Sequence, residues 1–171
     1  MIQVCIMGGH EGVIRPEPKI YFTLMGSCEL KRQTVARQIL AQRQQQKEGV
    51  TKPPKQFFLT VMGGAEIQSP TLAEEFIDLR EMIQSGALSL GDWDRAMSDM
   101  SRSDVRIGSF TLMGGFSENV LPSDEDEIEG IAVQRHLGNI SDSAGEVLQY
   151  GIGRKDIERR ATLRRAVTAE A

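Results

Sequence analysis

The sequence predicts a mainly β protein with helical insertions, a β-solenoid-like or β-helix-like stack of strand–Met-Gly-Gly repeats, and three observations point there. An apolar strand ending in Met-Gly-Gly or Met-Gly-Ser occurs four times, near residues 2–9, 20–27, 57–64 and 108–115. The methionines closing these strands, Met7, Met25, Met62 and Met113, are 18, 37 and 51 positions apart, as one repeating unit with two insertions would require. The insertions themselves, 31–50 and 70–102, carry helical rather than strand periodicity. A repeat domain over 1–150 and a basic C-terminal helix or tail over 151–171 follow from this division.

The unit has a readable physics. Counting back from Met, positions minus one, three and five are apolar in the first three copies, while Cys or Thr stands at minus two. Alternation of that kind predicts a strand with one buried face. Gly8, Gly9, Gly26, Gly63, Gly64, Gly114 and Gly115 are the predicted turn residues, because glycine reaches positive φ without a Cβ clash. Beyond the turn, Glu11, Glu29 and Glu66 recur at one offset and should face water, with Leu30 and Ile67 returning to the core. Ile128 to Val133 is a candidate fifth, degenerate layer. A single unit cannot cover its own apolar face, so the copies must stack.

The first insertion predicts a helix over 34–46 on the spacing of Val35, Ile39 and Leu40, ended by Gly49. The second predicts a helical hairpin. Ser69 is its expected cap, with Pro70 in the first turn and Leu72, Phe76, Leu79 and Ile83 as the apolar stripe. Ser85-Gly86 stops that helix, and Ser89 begins another carrying Trp93, Ala96, Met97 and Met100. Trp93, the sole tryptophan, is an expected anchor for the hairpin and a candidate partner contact.

The 171 residues carry a formal charge of −4, strongly segregated along the chain. Residues 31–55 hold seven Lys/Arg against one Glu, and 117–146 hold eight acids against one Arg. That balance argues against general nucleic-acid binding. No apolar window approaches the roughly 18 residues of a membrane span, and Met1 to Val4 lacks a positive leader region. A cytoplasmic location is the expectation.

Signs of chemistry are few. His10 follows the first glycine pair and reads as an exposed turn residue, and neither it nor His136 has a second ligand at metal spacing. Cys5 and Cys28 read as small hydrophobes. The run Asp124–Glu127 lacks the glycine and terminal Glu of a calcium loop and reads as a solvated loop. No nucleophile elbow or phosphate loop occurs. No metal and no cofactor is expected, and the chain reads as a non-enzyme.

The stretches Thr60-Val61-Met62-Gly63-Gly64-Ala65-Glu66-Ile67 and Thr23-Leu24-Met25-Gly26-Ser27-Cys28-Glu29-Leu30 resemble the C-terminal domain of bacterial cell-wall-active antibiotics response proteins, the LiaF-like group. The resemblance covers about 60 residues in four pieces. It implies a small single-sheet or β-helix-like solenoid and a link to envelope-stress regulation through protein contact. Members of that family commonly carry transmembrane helices, which this chain lacks, and the helical insertions fall outside the family pattern.

Function is therefore expected to be regulatory or adaptor-like, exerted through an unknown protein partner, with Trp93, Glu11, Glu29 and Glu66 as candidate interaction residues. A self-associating scaffold is the alternative. A ligand-binding protein or enzyme without a recognisable motif is the third reading.

Overall fold

The computed structural model describes residues 1–15, 18–50, 55–99 and 106–170. They form two compact units, the first from 1–33, 41–69 and 99–120, the second from 34–40, 70–98 and 121–171.

The first unit contains eight strands: β1 (Ile2–Met7), β2 (His10–Val13), β3 (Lys19–Met25), β4 (Cys28–Lys31), β5 (Lys55–Met62), β6 (Ala65–Gln68), β7 (Arg106–Met113) and β8 (Phe116–Val120). Odd-numbered strands form one parallel sheet in the order β1-β3-β5-β7, and even-numbered strands form another in the order β2-β4-β6-β8. Each sequence repeat thus supplies two strands, one on either side of its glycine turn, to two different sheets. Pairing is in register, so Met7, Met25, Met62 and Met113 share one column.

This is an α/β architecture, with two four-stranded parallel sheets and six helices among the described residues, and not the mainly β solenoid expected from the repeat. Two physical reasons account for the difference. Parallel neighbours need long crossovers, and α1 (Val35–Lys47) and the pair α2 (Leu72–Gln84) and α3 (Leu90–Asp99) lie within two of them. The described chain beyond residue 120 adds no strand: it forms α4 (Asp124–His136), α5 (Asp142–Gln149) and α6 (Asp156–Glu170). Ile128 to Val133, the candidate fifth layer, lies within α4.

The glycine column explains the turn. The leading residues of the four turns, Gly8, Gly26, Gly63 and Gly114, have φ between +107° and +140°, where side chains are strained. A Cβ placed on Gly26 would fall on the carbonyl oxygen of Gly8, and one on Gly63 would fall on that of Gly26. The chain can therefore stack turn upon turn only if this column lacks side chains. Positive φ is confined to that leading position of each pair, so Ser27 is accommodated at the second.

The two sheets enclose a core of Ile14, Tyr21, Cys28, Leu30, Phe58, Ala65 and Ile67. Tyr21 and Phe58 stack in parallel with centroids 4.8 Å apart, and Phe116 lies 6.1 Å from Phe58. Thr23 and Thr60 are also fully buried. The edge strand β8 places Glu118 in register with the core residue Ile67, where it pairs with Arg32.

The second unit is helical. Its core joins Ala36 and Ile39 of α1 to Leu72, Phe76 and Leu79 of α2, Trp93 of α3, Ile131 of α4, Leu148 of α5, and Leu163, Ala166 and Val167 of α6. Of the predicted stripe, Leu72, Phe76 and Leu79 are fully buried and Ile83 is half-buried against the same core. The cap of α2 is Thr71, two residues beyond the expected Ser69, because Thr71 and Glu74 complete a reciprocal capping box. Ser123 and Asp126 form a second box at α4. The acidic run Asp124–Glu127 is thus a first helical turn, where the helix dipole favours negative charge, and not a loop. Met100, expected on α3, lies outside the described residues.

Candidate contact surface

The strands of the odd-numbered sheet alternate hydrocarbon side chains with a mixed set of Thr, Cys, Gln, Ser and two aromatic rings, and the two sides have opposite fates. Positions minus two and minus four from Met face the core, placing Thr23, Thr60, Tyr21 and Phe58 inside. Positions minus one, three and five, expected to be the buried face, point outward. They are Ile2, Val4 and Ile6 on β1, Ile20, Phe22 and Leu24 on β3, Phe57, Leu59 and Val61 on β5, and Gly108, Phe110 and Leu112 on β7. Eight of these side chains are 36–66% exposed. Period-2 alternation identifies residues that share a face; it does not identify which face meets the core, and here the inner column carries the rings that fill the space between sheets.

The twelve positions bear eleven hydrocarbon side chains and one glycine, with no charge or hydrogen-bonding side chain among them. With exposures in that range they present on the order of 1,000 Å² of apolar surface, above the roughly 300–600 Å² of the largest patch on a typical monomer. The surface has relief. In the row Ile2–Ile20–Phe57–Gly108 the missing side chain on β7 lets Phe57 lean over Gly108, and a Cβ there would lie 2.8 Å from Phe57 Cδ2. A hollow of about 520 Å³ opens at this end of the sheet, lined chiefly by Ile2, Ile20, Phe57 and Gly108, with Lys19 and Lys55 among its walls. Phe110 and Leu112 stand out at 54% and 65% exposure on the same face.

The other sheet presents a different outer surface. Glu11, Glu29 and Glu66 are in register in one column that Ser117 completes on β8. Glu11 and Glu29 are exposed and Glu66 half-buried, while Leu30 and Ile67 point into the core. Local donors relieve the like-charge column: Ser27 Oγ donates to Glu29 at 2.7 Å, and Gln68 Nε2 to Glu66 at 3.1 Å.

Trp93, a candidate partner contact by residue type, is 1% exposed and packs in the helical core. The ring is too large and apolar to leave in water when a core stands beside it. His10 is likewise not an exposed turn residue. It opens β2, is half-buried, and sets its ring edge-on to Tyr21 with Nε2 3.3 Å from the carbonyl oxygen of Phe22.

Three buried carboxylates or thiols are the remaining places to look for chemistry, and each has a structural partner or a structural environment. Glu75 accepts from the backbone N–H of Val35 at 3.1 and 3.2 Å, capping α1 from a neighbouring helix. Burial pushes its carboxyl up to about 8. Glu127 accepts from the N–H of Leu72 at 2.7 Å and from Arg159 Nη2 at 2.6 Å, capping α2 in the same way. Burial, and then Glu29, push the Cys28 thiol up to about 12, far from the thiolate a nucleophile needs. Among the described residues no three His, Cys, Asp or Glu gather at metal-binding distance, and no helix is long and apolar enough to cross a membrane.

Sequence reasoning missed the outward face and the role of Glu127. The box Ser123–Asp126 was the available signal for the second, since it announces a helix start just before the acidic run. No family model, curated protein or solved structure matches this chain.

Proposed function

We propose that this chain is a cytoplasmic, non-catalytic regulatory or adaptor protein that acts through protein contact, with the outward face of the β1-β3-β5-β7 sheet as its contact surface. One observation carries the reading: a continuous, exposed apolar face across four strands, with cations only at its end. Surfaces of that size and character mark binding sites, because leaving them in water forfeits the hydrophobic gain of covering them. The commitment of Glu75 and Glu127 to helix caps, and the burial of Cys28 in the core between the sheets, support a role without catalysis. The partner is a protein and not a nucleic acid, since the face is predominantly apolar and the chain is acidic. The resemblance of the Met-Gly-Gly repeat to cell-wall-active antibiotics response proteins supports envelope-stress signalling as the setting.

Photo-crosslinking in native cells tests this directly. A photoreactive residue at Leu112, on the outward face, is expected to give discrete protein adducts. The same residue at Glu29, on the outer side of the other sheet, is expected to give none. Equal crosslinking from both positions, or none from Leu112, overturns the proposal.

A further inference from the structure

We infer that the occupant of this apolar face is a second copy of the same chain, the two sheets packing face to face in a symmetric dimer. The inference rests on the contact reading above and identifies its partner. The area is the primary argument. A stable, specific interface removes roughly 800 Å² from each partner, and the outward face offers on the order of 1,000 Å² of apolar surface on its own. Sheets stack at about 10 Å through interleaved side chains, a geometry open to a four-stranded sheet with one exposed apolar face.

The composition of the face narrows the choice further. A twofold interface must be complementary to itself, since one patch meets its own copy. The twelve apolar positions carry no charge that self-apposition would repel, and the cations Lys19 and Lys55 stand only at the end of the face, around the hollow. The face also carries both halves of a packing relief: the hollow beside Gly108 and the protruding Phe110 and Leu112. The other sheet is the contrast, for its column Glu11, Glu29 and Glu66 would meet its own negative charge in a like arrangement. Of the two outer faces, the apolar one can meet a copy of itself with its charged residues left at the end of the sheet, whereas the other would bury a column of carboxylates.

Sedimentation velocity of the purified full chain, across micromolar to sub-millimolar concentration, reads the outcome. The wild type is expected to reach twice the 18.9 kDa chain mass, and Phe110→Lys with Leu112→Lys to return it to the single mass with unchanged circular dichroism. A second variant guards against misfolding. Leu24→Cys in a Cys5→Ser background adds no charge, and its labelling by a thiol reagent is expected to slow at least tenfold between the monomeric and dimeric concentration ranges. A wild type that stays monomeric throughout overturns the inference; crosslinks from Leu112 to other proteins would then leave the contact reading standing. A dimer that survives the lysine substitutions, or one in which Leu24→Cys labels at an unchanged rate, also overturns it, by assigning the dimer to another surface. Capture of the monomer by phospholipid vesicles would overturn it in favour of a lipid surface.

Discussion

Replacing Gly63 by Ala, with Gly115→Ala as the comparison, isolates what the glycine turns do. Gly63 sits at φ +120°, and its added Cβ would fall on the carbonyl oxygen of Gly26. Holding alanine in such a conformation costs about 1–3 kcal/mol. Relieving the overlap means moving one turn away from the next. That movement strains the bonds Gly63 N–H to the Met113 carbonyl, 2.8 Å, and Gly26 N–H to the Met62 carbonyl, 3.0 Å. Each is worth about 1 kcal/mol net. The loss should therefore come to about 3–5 kcal/mol, a large share of the roughly 5–15 kcal/mol that holds a domain folded. Gly115 differs on both counts: it is not among the positive-φ glycines, and an added Cβ meets nothing within 4 Å. Gly115→Ala should leave stability unchanged or raise it by about 0.4–1 kcal/mol through the unfolded chain. Urea unfolding followed by far-ultraviolet circular dichroism measures both, since Trp93 fluorescence reports only the helical unit. Equal losses in the two variants would refute the close-approach argument.

Three further outcomes follow from buried groups. The hydroxyl of Thr60 is fully buried with no hydrogen-bond partner among the described residues, so Thr60→Val should stabilise by about 1 kcal/mol; a lower urea midpoint would show that the hydroxyl is satisfied. Glu75 keeps its proton in the folded state up to about pH 8, whereas the unfolded chain releases it near 4.5. Its contribution is thus fully present below the unfolded value and is lost as pH rises through the folded one, so stability should fall by up to a few kcal/mol across that window. Glu75→Gln should flatten the slope, and an unaltered slope in that variant would assign the dependence elsewhere. Glu127→Gln should cost about 3 kcal/mol, because Arg159, only 12% exposed, is left without its carboxylate. A thermal melt unchanged from wild type would remove that ion pair from the account.

Much of the fold was legible where local signals agree. The repeat located the four strands that end in Met but not the four that follow the glycine turns, and its equal offsets anticipate the in-register column of methionines. Glycine–glycine pairs marked turns because only a residue without Cβ tolerates the next turn's backbone so close. Helices α1, α2 and α3 followed from apolar spacing and stop residues. The misreadings have one source, the reliance on pattern without three-dimensional context. Hydrocarbon side chains alternate with Thr, Cys, Gln and Ser, which marks the hydrocarbon column as the buried one, yet the other column carries Tyr21 and Phe58 and stands inside. Thr23 and Thr60 look like surface residues by type yet stand inside, beside Tyr21 and Phe58. In α4 the run of acids masked a helix start, and Ile128 to Val133 has spacing short enough to suit a strand. Trp93 could be assigned to the core or to a partner only by seeing which helices surround it.

Thiol labelling of Thr23→Cys and Leu24→Cys, each in the Cys5→Ser background and at dilute concentration, tests the central claim that the sheet turns its alternating apolar residues outward. Thr23 is fully buried and Leu24, its neighbour, is 36% exposed. The Leu24→Cys thiol should react promptly in the folded protein, and the Thr23→Cys thiol only at the rate of unfolding. Prompt reaction at position 23 with protection at 24 would put the apolar alternation inside after all, and remove the contact surface on which the proposed function stands.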